Sequence, residues 1–122
     1  MIQKVTLSSA FAGIHDHWNP RIAGEVSGHE VKLVKFVGAF DWHHHEQEDE
    51  LFLVHRGRFR MEFRDHAVEL EAGDFLIVPH GVEHRPVADD EVEVLLIEPA
   101  GTRNTGNVLS ERTRTTLERI VP

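Results

Sequence analysis

The chain has 122 residues, 40% of them hydrophobic and 28% charged, the size and composition of one globular domain with its own core. Its 21 acidic and 13 basic residues leave a formal charge of −8, which repels polyanions and anionic membranes and excludes an electrostatic nucleic-acid footprint. No apolar run approaches the roughly 18 residues that cross a bilayer, the N-terminus lacks a signal-peptide core, and there is no cysteine to argue for secretion, so a cytoplasmic protein is expected.

Residues 1–30 scatter apolar positions (Val5, Leu7, Phe11, Ile14, Trp18, Ile22, Val26) among Gly13, Gly24, Gly28 and Pro20, which predicts an irregular arm with one or two short strands and no long helix. Within it, His15 and His17 would share a face if extended, but the segment reads as a polar turn before Pro20 rather than a second metal cluster. From Val31 the pattern is all-β. Residues 31–37 and 40–45 read as strands either side of Gly38. Residues 50–54 are apolar on both faces and end at His55-Arg56-Gly57. Residues 58–64 alternate charged and apolar, the mark of a strand with one wet face. A short strand at 67–70 leads to the Ala72-Gly73-Asp74 turn, and a second two-sided apolar run at 75–78 is broken by Pro79. Residues 83–87, an acidic turn at 89–91 and a last core strand at 92–98 complete about eight short strands. Regular turn spacing without a helix predicts a sandwich or barrel, with residues 102–122 as a polar tail that packs on it or on a partner.

The chemistry concentrates between Asp41 and Gly57, where three consecutive histidines precede an acidic turn. With ten histidines and no cysteine, a transition-metal site here must use nitrogen and oxygen ligands. On an extended backbone His43 and His45 point to one face and His44 to the other. A hairpin through the acidic turn returns Glu50 beside them, and His84 arrives from a separate strand after the Pro79-His80-Gly81 turn. Three imidazoles and a carboxylate would fill four positions of an octahedron and leave two for water, substrate or dioxygen, the pattern of a working site rather than a structural staple. A rival set, His44 and Glu46 with His84, abandons Glu50 and is set aside. Mixed nitrogen and oxygen ligands accept iron, manganese, nickel, cobalt, copper or zinc.

This spacing resembles the cupin superfamily. Its first motif, H-x-H, three or four residues, E, six residues, G, is matched by His43, His45, Glu50 and Gly57. Its second, G, five residues, P-x-G, two residues, H, three residues, N, is matched by Gly73, Pro79, Gly81 and His84. Two positions depart: Gly38 lies one residue closer to His43 than the pattern's glycine, and Ala88 stands where the motif ends in Asn. The run from Trp42 to Phe52 also matches the W-H-x-H-x-x-x-D-E-L-F pattern of short bacterial cupins called mannose-6-phosphate isomerase-like. The resemblance implies a single jelly-roll barrel (double-stranded β-helix) with its core at about 31–98, an N-terminal arm and a C-terminal tail. It also implies one divalent metal on His43, His45, Glu50 and His84, a small-molecule substrate or ligand, and a homodimer. The implied function is isomerase, lyase or dioxygenase chemistry on a small oxygenated substrate, with a non-catalytic ligand-binding or sensor barrel as the alternative; the resemblance assigns no catalytic side chain beyond the ligands.

Overall fold

A computed structural model describes residues 2–120. A short helix α1 (Leu7–Ala12) is followed by seven strands: β1 (Arg21–Val26), β2 (His29–Ala39), β3 (Glu50–Arg56), β4 (Arg58–Phe63), β5 (Ala67–Glu71), β6 (Phe75–Val78) and β7 (His84–Pro99). All pairings between them are antiparallel, in the order β1-β2-β7-β3-β6, with β4 bridging β7 and β5. The turn spacing predicts a sandwich or barrel and the family resemblance a jelly roll, and an all-β jelly-roll barrel is what the chain forms.

The organising strand is β7. Its second half pairs with β2 on one side and β3 on the other, with Val94 opposite both Val34 and Val54. Its first half turns to β4, with Val87 opposite Arg60 and His84 opposite Phe63. The bend falls where Asp89, Asp90 and Glu91 bulge against β2: Val92 pairs with Phe36 and Ala88 with Gly38, so three residues oppose one. Gly38 takes φ of 86° there, which a glycine adopts without steric cost. The acidic run is therefore a bulge inside one long strand and not a turn between two, and the strand count is seven instead of eight. The expected strand at 40–45 is likewise reduced to a single bridge, His43 to His84, with His44 bonded instead to Asn107 of the tail.

Inward-facing residues of both layers meet in one core of Val34, Phe36, Phe52, Val54, Phe59, Met61, Leu70, Val78, Val92, Val94 and Leu96. A second small cluster lies outside the sheet, where Phe11 and Ile14 of the arm cover Leu33. This cover buries Leu33 on the outer face of β2. It does not reach β6: Phe75 and Ile77 are 63% and 52% exposed, so the two-sided apolar run there faces the core on one side only. The tail crosses back over the barrel and joins β1, where the Ile120 N–H donates to the Ile22 carbonyl and the Ile22 N–H to Glu118.

Candidate metal centre

His43, His45, Glu50 and His84 come together inside the barrel, between 1% and 4% exposed, with one ligand atom from each lying within 4.8 Å of the others. Backbone pairing places two of them. His43 and His84 exchange N–H to carbonyl bonds of 3.1 and 2.9 Å, so their side chains leave the same face with ring centroids 4.4 Å apart. His45, two residues along, lies 5.1 Å from the His43 ring. Glu50 opens β3, opposite Val78, and its Oε1 lies 2.9 Å from His45 Nε2 and 3.2 Å from His84 Nε2.

Two of the imidazoles are oriented by the same local device. His43 Nδ1 lies 2.9 Å from the Asp41 carbonyl and His84 Nδ1 2.8 Å from that of Val82. A carbonyl only accepts, so Nδ1 carries the proton in each ring and Nε2 is left with its lone pair. Metal-ligating histidines are held in this way. Burial, and then the neighbouring His84, lower the pKa of His43 to about 4, so its ring is neutral at physiological pH.

Among the described residues four buried side-chain atoms have no hydrogen-bond partner: His45 Nε2, Glu50 Oε1, His84 Nε2 and Glu98 Oε2. Orphaned buried polar atoms are expensive, and three of these four belong to the cluster. A divalent cation would satisfy them together, and the donor set of three imidazoles and one carboxylate suits a transition metal.

A second carboxylate adjoins the first. Glu98 faces Glu50 and is only 2% exposed. Burial and the Glu50 charge raise the pKa of Glu98 well above the carboxylate range. For Glu50 burial acts upward too, but the Glu98, His45 and His84 side chains that face it outweigh burial and hold that group well below. Lys32, 1% exposed, donates to Glu98 Oε1 at 2.6 Å and lies 3.7 Å from Glu30. Nothing in the motifs marks Glu98 or Lys32. The available signal was alternation, since Val92, Val94, Leu96 and Glu98 share a strand face, as do Glu30, Lys32, Val34 and Phe36.

The cluster opens onto a cavity of about 50 Å³ lined by Trp18, Phe36, Phe40, Phe52, Leu96 and Pro86, with His43, Glu50, Glu98 and Asn104 as its polar groups. Trp18 comes from the arm, stacks on Phe36 and Phe40 at 4.5 and 4.6 Å, and donates its Nε1–H to the Val37 carbonyl. The tail closes the other side. The His44 N–H donates to Asn107 Oδ1 at 2.8 Å and the Asn107 N–H to the His44 carbonyl at 3.0 Å, while Ser110 and Arg112 bind Asp41.

The remaining candidates lie elsewhere. His44 points away and meets exposed Glu46 at 2.7 Å, apart from the buried group that holds His84. His15 and His17 are exposed, and His17 pairs with Glu91 at 2.6 Å, consistent with a polar turn.

The fold and this cluster define an antiparallel jelly-roll barrel with a buried His/Glu group that could hold a metal ion. The Cupin_2 cupin-domain family matches residues 33–98, and the chain belongs to that family. A solved cupin-2 domain protein from Shewanella frigidimarina NCIMB 400 is 39% identical, with a TM-score of 0.77 over 78% of this chain and 93% of that one. Protein NMB1881 from Neisseria meningitidis is 28% identical, with a TM-score of 0.74 over 80% of this chain and 100% of that one. The uncharacterized protein YdbB of Bacillus subtilis (strain 168) is 45% identical over 62 residues, 50% of this chain and 55% of YdbB, so the match spans about half of that relative. No helix among the described residues is long and apolar enough to cross a membrane.

Proposed function

We propose that this chain is a metal-dependent cupin in which His43, His45, Glu50 and His84 hold one divalent transition metal for chemistry on a small oxygenated molecule. The carrying observation is that three buried ligand atoms, His45 Nε2, Glu50 Oε1 and His84 Nε2, converge on one another and, among the described residues, have no hydrogen-bond partner. When bound, such a metal acts as a Lewis acid, giving isomerase or lyase chemistry, or as an oxygen-activating centre, giving dioxygenase chemistry. The protein's own contribution is preorganisation: two rings locked by Nδ1 bonds, a carboxylate kept ionised, and aromatic walls that exclude water from the substrate side. The Trp42 to Phe52 run supports a narrower kinship with the mannose-6-phosphate isomerase-like cupins, a kinship of sequence rather than of substrate. Elemental analysis of protein purified without added metal tests the reading. Near-stoichiometric metal in wild type and its loss in His45→Ala are expected, and a wild-type chain that takes up no metal even on reconstitution at neutral pH defeats it.

The proposal extends to a homodimer. Phe75 and Ile77 of β6 stand exposed beside half-buried Leu53 and Leu51, their register partners on β3, an apolar edge that a second copy would cover.

A further inference from the structure

We infer that the ligand of this site is a compact, uncharged molecule with a flat apolar body, which lies against the aromatic wall and presents a hydroxyl to Glu98. The inference rests on the metal-centre reading for the ligand's other oxygen, and on the cavity itself for everything else.

Size comes first. A water needs at least about 10–15 Å³, so a cavity of about 50 Å³ holds a few water-sized groups before the ligand must extend towards the mouth. Composition narrows the class further. Trp18, Phe40, Phe52, Leu96 and Pro86 offer faces and methyl groups, which reward an apolar ring or short branched body, while the polar groups gather at one end in His43, Glu50 and Glu98, and Asn104 already spends its amide on Arg112 and Arg114. Charge excludes most anions. No Lys or Arg lines the cavity, Lys32 is committed to Glu98 and Glu30 behind the wall, and Arg112 near the mouth is paired with Asp41 across the faces of Trp18 and Phe40. Beyond the metal, a phosphate would therefore find no guanidinium or ammonium on the cavity wall to receive its remaining charge.

Glu98 supplies the polar contact. It lines the cavity but stands outside the four-residue ligand group. Lys32 fixes one of its oxygens at 2.6 Å, and the other, Oε2, is buried with no hydrogen-bonding side chain or backbone donor. A ligand hydroxyl placed beside the metal ligands would hydrogen-bond to that oxygen. Glu98 is thus assigned as a substrate-binding residue, distinct from a fifth metal ligand.

The test uses the full chain in a Trp42→Phe background, so that Trp18 is the single indole, with catechol, phenol and a hexose 6-phosphate as probes. Affinities are measured by calorimetry and Trp18 fluorescence on metal-loaded and metal-free protein, and metal content is measured separately. Catechol is expected to bind saturably and change Trp18 fluorescence. Glu98→Gln should weaken catechol roughly tenfold, the loss of one buried hydrogen bond, while phenol affinity and metal content stay unchanged. Glu98→Asp, which keeps a carboxyl on that position but withdraws the oxygen, should weaken catechol similarly. Hexose phosphate should not compete. Equal catechol affinity in wild type and Glu98→Gln, equal weakening of phenol, or tighter binding of the hexose phosphate overturns the inference. So does failure of catechol to bind either form. A wild-type chain without metal instead defeats the metal-centre reading, and the wild-type to Glu98→Gln ratio in the metal-free protein then decides the role of Glu98.

Discussion

His43 and His84 form a reciprocal backbone pair, 3.1 Å from one N–H and 2.9 Å from the other, and each donates Nδ1–H to the carbonyl two residues before it. The two imidazoles are thereby placed and oriented twice over, by strand pairing and by a local ring bond, before any metal arrives. Replacing either by Ala is expected to lower metal affinity by more than the roughly 10–100-fold typical of losing an outer partner of a ligand. Competition with a chromophoric chelator measures this directly. Affinity within a factor of a few of wild type in both variants would remove these residues from the metal centre.

Acid should release the metal and weaken the fold in the same window. The pKa of His43 is lowered to about 4 in the folded chain, against about 6.5 unfolded. Between those values the unfolded chain binds the extra proton, so stability rises with pH through the window and is lost as pH falls from about 6.5 towards 4. His43 alone contributes up to about 3 kcal/mol of this slope, using 1.36 kcal/mol per unit. Glu98, with its raised pKa, acts in the opposite direction above the ordinary carboxylate range. Denaturant unfolding of metal-free protein across a pH series should show a steeper fall below about pH 6.5 in wild type than in His43→Gln. Equal slopes would mean that His43 is not held neutral by burial.

Much of this was readable from residue order. Strands such as β4 announce themselves by alternation, and the four candidate ligands by spacing, because both signals are local and periodic. What escaped depends on contacts distant in sequence. Asp89 to Glu91 looked like a turn because acidic residues favour loops, yet β2 pairs on both sides of them and keeps β7 continuous. Residues 40–45 have strand composition, but only His43 finds a strand partner there, and His44 bonds to Asn107, 63 positions away in the tail. Lys32 and Glu98 are charged residues on rows that the fold buries, separated by 66 positions, and each is tolerable only because the other is present.

That interdependence is itself testable. Lys32→Met leaves Glu98 and Glu30 facing each other's environment without their buried cation, and a loss of about 3–5 kcal/mol is expected, the usual cost of breaking a buried pair. Adding Glu98→Leu should recover most of it, since an apolar replacement of both partners is often neutral. Additive losses in the double mutant would show that the pair is not coupled.

The apolar edge predicts assembly. Phe75→Glu with Ile77→Lys places charges on exposed positions of β6 that make no contribution to the barrel core, so folding should be unaffected. Sedimentation of wild type is expected to show a dimer and that of the double variant a monomer. A monomeric wild type at micromolar concentration would discard the second-copy reading.

The tail's grip on the ligand loop turns on one glycine. Gly106 has φ of 57°, and a Cβ there would collide with the His44 carbonyl oxygen and lie 3.0 Å from His43 Cδ2. The neighbouring Asn107 clasps both the N–H and the carbonyl of His44, the residue between two ligands. Gly106→Ala should therefore push the tail off without touching the core, at a cost of about 1–3 kcal/mol. Faster amide exchange at His44 and Asn107, weaker metal binding and unchanged exchange in β3 and β7 are the expected signature. Because backbone atoms on both sides meet at this contact, no rotamer change can relieve the clash. Wild-type exchange at His44 in this variant would mean that the tail merely rests on the loop and does not position it.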